Sequence, residues 1–176
     1  MINRDRLATL RAKEDARFLA LHPKSGEMFK AGQVNMPGGV PMSWMSKWPG
    51  AYPVFVKEAK GARFSDVDGN TYIDFCLGDT GSMTGHSPDA TVAAIREQVG
   101  KGITAMLPTQ DAAIVSAELA KRFGLPLWQF TVSATDANRH VIRYSRMITG
   151  RKRIVVIDRC YHGSVDETFA TLDSLG

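Results

Sequence analysis

The segment that most restricts the fold is "LWQFTVSATDANRHVIRYSRMITGRKRIVVID", residues 127–158. "LWQFTV" reads as a strand, "TDANRHVIRYSRMIT" as a helix, Gly150 as its stop and "RIVVID" as a second strand. The second strand is apolar without alternation, the pattern of a sheet covered on both faces. Strand, helix and strand together take about thirty residues, the length of one βαβ unit. Two parallel strands joined by a right-handed crossover are therefore expected. Such a chain belongs to the α/β class, in which ligands bind at the rim formed by the carboxyl ends of the strands.

The loops leaving the two strands, Ser133–Thr135 and Tyr161–Gly163, open on that same rim and should be near neighbours. The helix that starts after Ser133 offers unpaired N–H groups and the positive end of its dipole. Small side chains let a phosphate approach this backbone, and the Ser133 and Thr135 hydroxyls add hydrogen bonds. Tyr161 supplies a flat ring. Together they suit a phosphorylated, planar heterocycle. A plain hydroxyl cap beside a half-buried tyrosine explains the same residues, and the residues alone leave both readings open. Arg139, Arg143 and Arg146 share one helical face and read as a solvated stripe.

Upstream, residues 3–21 have loosely helical spacing and read as a surface or partner-facing helix. Residues 35–53, "NMPGGVPMSWMSKWPGAYP", hold four prolines and three glycines, a density of breakers that predicts a loop without regular elements. Its two tryptophans and three methionines make it apolar, so it should pack over a core edge or a ligand. "VFVKEAKGARFSDVDGNTYIDF" reads as a small antiparallel meander with a hairpin at Asp68-Gly69-Asn70. Helices follow at 89–99 and at about 109–123, the latter capped by Thr109 and closed by Gly124. This pattern divides the chain into residues 1–105, carrying helix, loop and meander, and residues 106–176, which begin a larger domain.

The net charge of +4 comes from 22 basic residues scattered among 18 acidic ones, which gives nucleic-acid binding little support. No apolar run is long enough to span a membrane, and "MINRDRLATLRAKEDARF" has neither a signal-peptide core nor the acid-poor character of a transit peptide. Cys76 and Cys160 suit a reducing cytoplasm. Cys160 and His162 lack companion ligands, so no metal site is expected. A dinucleotide-binding module is disfavoured because the turn after the first strand carries no G-x-G-x-x-G.

"MPGGV", "GARFSDVDGNTYIDF", "GHSPDATVAAI" and "FTVSATDANRHVIRYSRMITGRKRIVVIDRCYHG" occur in an order and at separations that resemble class III aminotransferases. The similarity is to the branch of glutamate-1-semialdehyde aminomutase and β-amino-acid transaminase, and it covers about residues 30–170. It implies the N-terminal part of a fold type I pyridoxal-phosphate-dependent transferase: a small antiparallel meander plus the start of a doubly wound, mainly parallel sheet. It also implies pyridoxal 5′-phosphate as cofactor. The resemblance assigns Ser133, Ala134 and Thr135 to its phosphate, places Asp136 nearby, and stacks Tyr161 on its ring, with His162 and Gly163 completing that motif.

Two positions depart from the family pattern: Ala134 stands where glycine is usual, and Asp136 where glutamate is usual. Ala134 fits if the turn needs no positive φ. The loop after "PGGV" commonly carries an arginine for the substrate carboxylate. Here Met42, Trp44 and Met45 are the candidate substrate contacts, and methionine cannot make a bidentate clamp. Lys47 offers only a point charge. The resemblance implies an amine or amino acid and a keto compound as substrates, and a homodimer with its active site at the interface.

The family's Schiff-base lysine and its pyridine-nitrogen aspartate match no position here. This predicts that the chain is the N-terminal part of a longer enzyme and is inactive alone. An aminomutase, or a non-catalytic α/β module binding a phosphorylated ligand, are the alternatives.

Overall fold

A computed structural model describes residues 3–171. The chain divides into two units, residues 1–104 and 105–176.

The first unit opens with α1 (Arg4–Leu21), whose start is capped by Asn3 accepting the Arg6 N–H at 2.9 Å. Helix α2 (Pro23–Gly32) follows at once and was not anticipated from the sequence. Pro23 suits the first helical position because the N–H it lacks would be unpaired there. Its cap comes from far along the chain: Asp68 accepts from the N–H groups of Lys24 (2.7 Å) and Ser25 (3.1 Å). Ser25, fully buried, donates its hydroxyl to Asp68 at 2.7 Å and accepts from the Phe55 N–H at 3.2 Å. The 35–53 loop is not wholly irregular: Pro37–Gly39 and Ser43–Lys47 form single 3-10 turns. Such turns need only i→i+3 bonds, and Pro37 at the first position favours one.

The expected meander is present as β1 (Val56–Lys60), β2 (Arg63–Asp66) and β3 (Thr71–Ile73), antiparallel in that order. Gly69, at φ +94, lets the β2–β3 turn close after Asp66. Phe64 and Tyr72 face each other across the two strands with ring centroids 4.8 Å apart. At the end of β2, Asp66 is completely buried and accepts from the Asn70 N–H and side chain, the Asp68 N–H and the Tyr72 hydroxyl. Burial works against its charge, but these hydrogen bonds outweigh it and hold the Asp66 carboxyl below its ordinary range. Burial, together with the Asp66 carboxylate, pushes Tyr72 up to about 12. His22, also buried, lies 2.6 Å from the Tyr72 hydroxyl through Nε2 and donates from Nδ1 to the Phe18 carbonyl at 2.7 Å. Helix α3 (Asp89–Val99) follows the meander.

The second unit contains α4 (Gln110–Phe123) and α5 (Ala134–Thr149), each closed by a left-handed glycine, Gly124 and Gly150. Thr109 occupies the cap position of α4 but its side chain makes no capping bond. The clearest difference from expectation lies at 127–132 and 153–158. Neither segment forms a strand ladder, so the expected parallel pair is not hydrogen-bonded here. Val132 is 96% exposed and Val155 98%, so these runs, apolar as if buried, have no covering layer among the described residues. A strand exists only with a hydrogen-bonding neighbour, and the described residues offer none to pair with them.

Candidate functional site

The candidate site lies in the second unit, at the start of α5. Ser133, extended at φ −159, caps the helix by accepting the Asp136 N–H at 3.2 Å, and its carbonyl accepts from Ala137 at 3.0 Å. The N–H groups of Ala134 and Thr135 have no acceptor within the helix and point out of its end. Ala134 is the first residue of α5 and is not at positive φ, so glycine is not required there. Asp136 lies in the first turn with its Oδ1 3.5 Å from His140 Nδ1.

The loop at 161–164 is fastened to this helix end. Thr135 Oγ1 accepts the Ser164 N–H at 3.1 Å. Asn138 donates its side-chain amide to the His162 carbonyl at 2.8 Å. Gly163, buried at φ +81, lies so close to Thr135 that a Cβ would fall 2.5 Å from Oγ1 and 3.0 Å from Cα. No other residue type fits this approach. Ser133–Thr135 and Tyr161–Gly163 are thus brought together. Tyr161 is 74% exposed, so its ring face is open. Its loop also lines a shallow depression with Phe169 and Thr171.

Asn138 was missed by sequence reasoning. Its signal was its position three residues beyond Thr135, on the same helical face. Arg146 is also more than part of a solvated stripe: its Nη1 binds Glu167 at 2.8 Å and its Nε donates to the Lys152 carbonyl at 3.0 Å. Glu167 is held below its ordinary range by its own backbone N–H and by this arginine.

Met42, Trp44 and Met45 lie in the first unit, around the 43–47 turn. Trp44 donates its indole N–H to Met42 Sδ at 3.3 Å, and both side chains remain more than half exposed. Cys76 and Cys160 are free thiols, and no cluster of three or more metal-binding side chains exists among the described residues. No helix among these residues is long and apolar enough to cross a membrane.

A family model described as "Aminotransferase class-III" matches residues 44–175. Glutamate-1-semialdehyde 2,1-aminomutase of Methanocaldococcus jannaschii is 38% identical over 146 residues, covering 81% of this chain and 33% of that protein. A crystal structure of a glutamate-1-semialdehyde aminomutase from Pseudomonas aeruginosa PAO1 superposes with a TM-score of 0.92 at 49% identity, covering 99% of this chain and 39% of that one. A lysine-to-alanine variant of that enzyme has been solved in complex with PMP. A β-phenylalanine aminotransferase from Variovorax paradoxus gives a TM-score of 0.80 at 29% identity over 87% of this chain and 35% of its own. These structural neighbours are fold type I transferases, and the chain corresponds to their N-terminal part. The chain spans about a third of the length of the curated relatives it matches.

Proposed function

Because this chain belongs to the class III aminotransferases, we propose that the whole protein is a pyridoxal-phosphate enzyme moving an amino group from an amine or amino acid to a carbonyl acceptor. The observation that carries this reading is the fastening of the 161–164 loop to the start of α5. Its residues fit the cofactor. Two outward N–H groups and the helix dipole favour the phosphate. Ser133 and Thr135 use lone pairs to accept from Asp136 and Ser164, which frees both hydroxyl hydrogens to donate outward. The PMP complex of the Pseudomonas enzyme supports the same cofactor.

In this reading Ser133, Ala134 and Thr135 hold the phosphate, Tyr161 covers one ring face, and Asp136 and His162 border the ring. When bound, the cofactor's conjugated ring takes up the electron pair left as a bond to the amine-bearing carbon breaks. Met42, Trp44 and Met45 would give the substrate an apolar contact instead of a carboxylate clamp. The first unit is assigned to the small domain and the second to the beginning of the cofactor domain. Exposed Leu7, Leu10 and Leu19 on α1 support a homodimer, with the active site at its interface. Two free thiols favour a reducing cytoplasm.

An aminomutase is the second reading, favoured by the names of the Methanocaldococcus and Pseudomonas relatives. One experiment separates the two. The whole protein, loaded with pyridoxal phosphate, is given an amine donor with and without a separate keto acid. Transfer predicts product only with the acceptor. Product from a single amino-aldehyde substrate alone indicates the mutase, and no product under either condition would remove both.

A further inference from the structure

We propose that Asn138 is a positioning residue that sets where the Tyr161 ring sits over the anion cradle; this rests on the cofactor reading above. Tyr161 is 74% exposed, so side-chain packing does little to fix its ring. Its place is set by the backbone beside it. That backbone is held at two points. The Ser164 N–H binds the Thr135 hydroxyl, on the far side of Gly163 from the tyrosine. The His162 carbonyl, directly next to Tyr161, is held by the Asn138 amide. Gly163 between them is left-handed and lacks a side chain, so it offers no anchor of its own.

The division of labour follows from helical spacing. Thr135 and Asn138 are three residues apart on one face of α5, so one faces the outward end of the helix and the other lies a turn behind it. The hydroxyl serves both the loop and the phosphate. The amide serves only the loop, and only on the tyrosine side. An asparagine is suited to this because its N–H donates to a carbonyl without carrying charge. An aspartate of the same shape would set a carboxylate against that carbonyl and remove the bond.

The test uses the full-length protein with Asn138→Asp and Asn138→Ala, and Thr135→Ala for comparison. Affinities are measured for pyridoxal phosphate, for pyridoxal without its phosphate, and for inorganic phosphate, alongside the visible circular dichroism of the bound cofactor. Losing one neutral hydrogen bond should weaken pyridoxal binding about three- to tenfold and alter the dichroic band. Inorganic phosphate affinity should stay unchanged. Thr135→Ala should weaken inorganic phosphate as well. An unchanged pyridoxal affinity and dichroic band in both Asn138 variants would overturn the proposal. So would equal losses for all three ligands, which would make Asn138 merely structural. If the unaltered protein acquires no dichroic band with pyridoxal phosphate, the cofactor reading itself fails.

Discussion

Tyr72, Asp66 and His22 form the part of this chain whose energetics depend most sharply on single atoms. The Tyr72 hydroxyl donates to a completely buried carboxylate and lies 2.6 Å from the His22 ring. Tyr72→Phe leaves both partners short of a hydrogen-bonding group and should cost on the order of 1–3 kcal/mol, read as a lower melting temperature. The pH dependence has two arms. Asp66 titrates below its ordinary range when folded, so its contribution is present above about pH 4 and is lost as pH falls further. Tyr72 is raised to about 12, so the stability it lends is complete below about pH 10 and is lost as pH climbs towards the folded value. Ultraviolet titration should show one tyrosine ionising late, and Tyr72→Phe should delete that step. A chain that loses no late step on this substitution would contradict the assignment. None of this was legible in the sequence, where "DVDGN" signals a turn but not that Asp66 points inward. Asn138 was hidden for a similar reason: its partner is a backbone carbonyl, which no residue pattern displays.

Among the elements, those specified by neighbouring residues were legible and those specified at a distance were not. Helix α3 matches its expected bounds because its apolar spacing and its terminating glycine lie within the segment itself. The start of α5 was equally readable, since Ser133 is both the cap and the end of the preceding apolar run. Helix α2 was not, because Asp68, more than forty residues away, supplies its cap. Ser25 is the joint in that arrangement, bonded to Asp68 and to the backbone of Phe55 while fully buried. Ser25→Ala strands the Phe55 N–H and should destabilise the first unit by about 1–3 kcal/mol. Amide hydrogen exchange should then quicken in α2 and at the entry to β1 together, whereas quickening in α2 alone would mean the two elements are not joined there. The segments 127–132 and 153–158 carry strand composition without a strand ladder. Their residues specify an environment, and only neighbouring strands can provide it.

The whole molecule exposes far more surface than its mass allows for a self-sufficient fold. A compact protein of 19.3 kDa exposes about 8,500 Å², whereas this chain exposes 15187 Å². Among the described residues the buried apolar side chains are Val40 and Val165, while Phe75, Met106, Val132 and Val155 are each more than nine-tenths exposed. Residues 1–176 prepared alone should therefore bind hydrophobic dyes, self-associate in sedimentation, and show no amino transfer above free pyridoxal phosphate. A monodisperse, dye-silent and active preparation would be incompatible with this surface. The full-length protein should sediment as a discrete dimer. The uncovered surface also has a thermal consequence. Burying apolar area is driven by a water-derived entropy that fades on cooling, while hydrogen bonds such as those around Asp66 do not depend on it. Whatever covers these faces is held by the interaction that chilling weakens first, so refrigeration should loosen the chain from its surroundings before it melts a single helix.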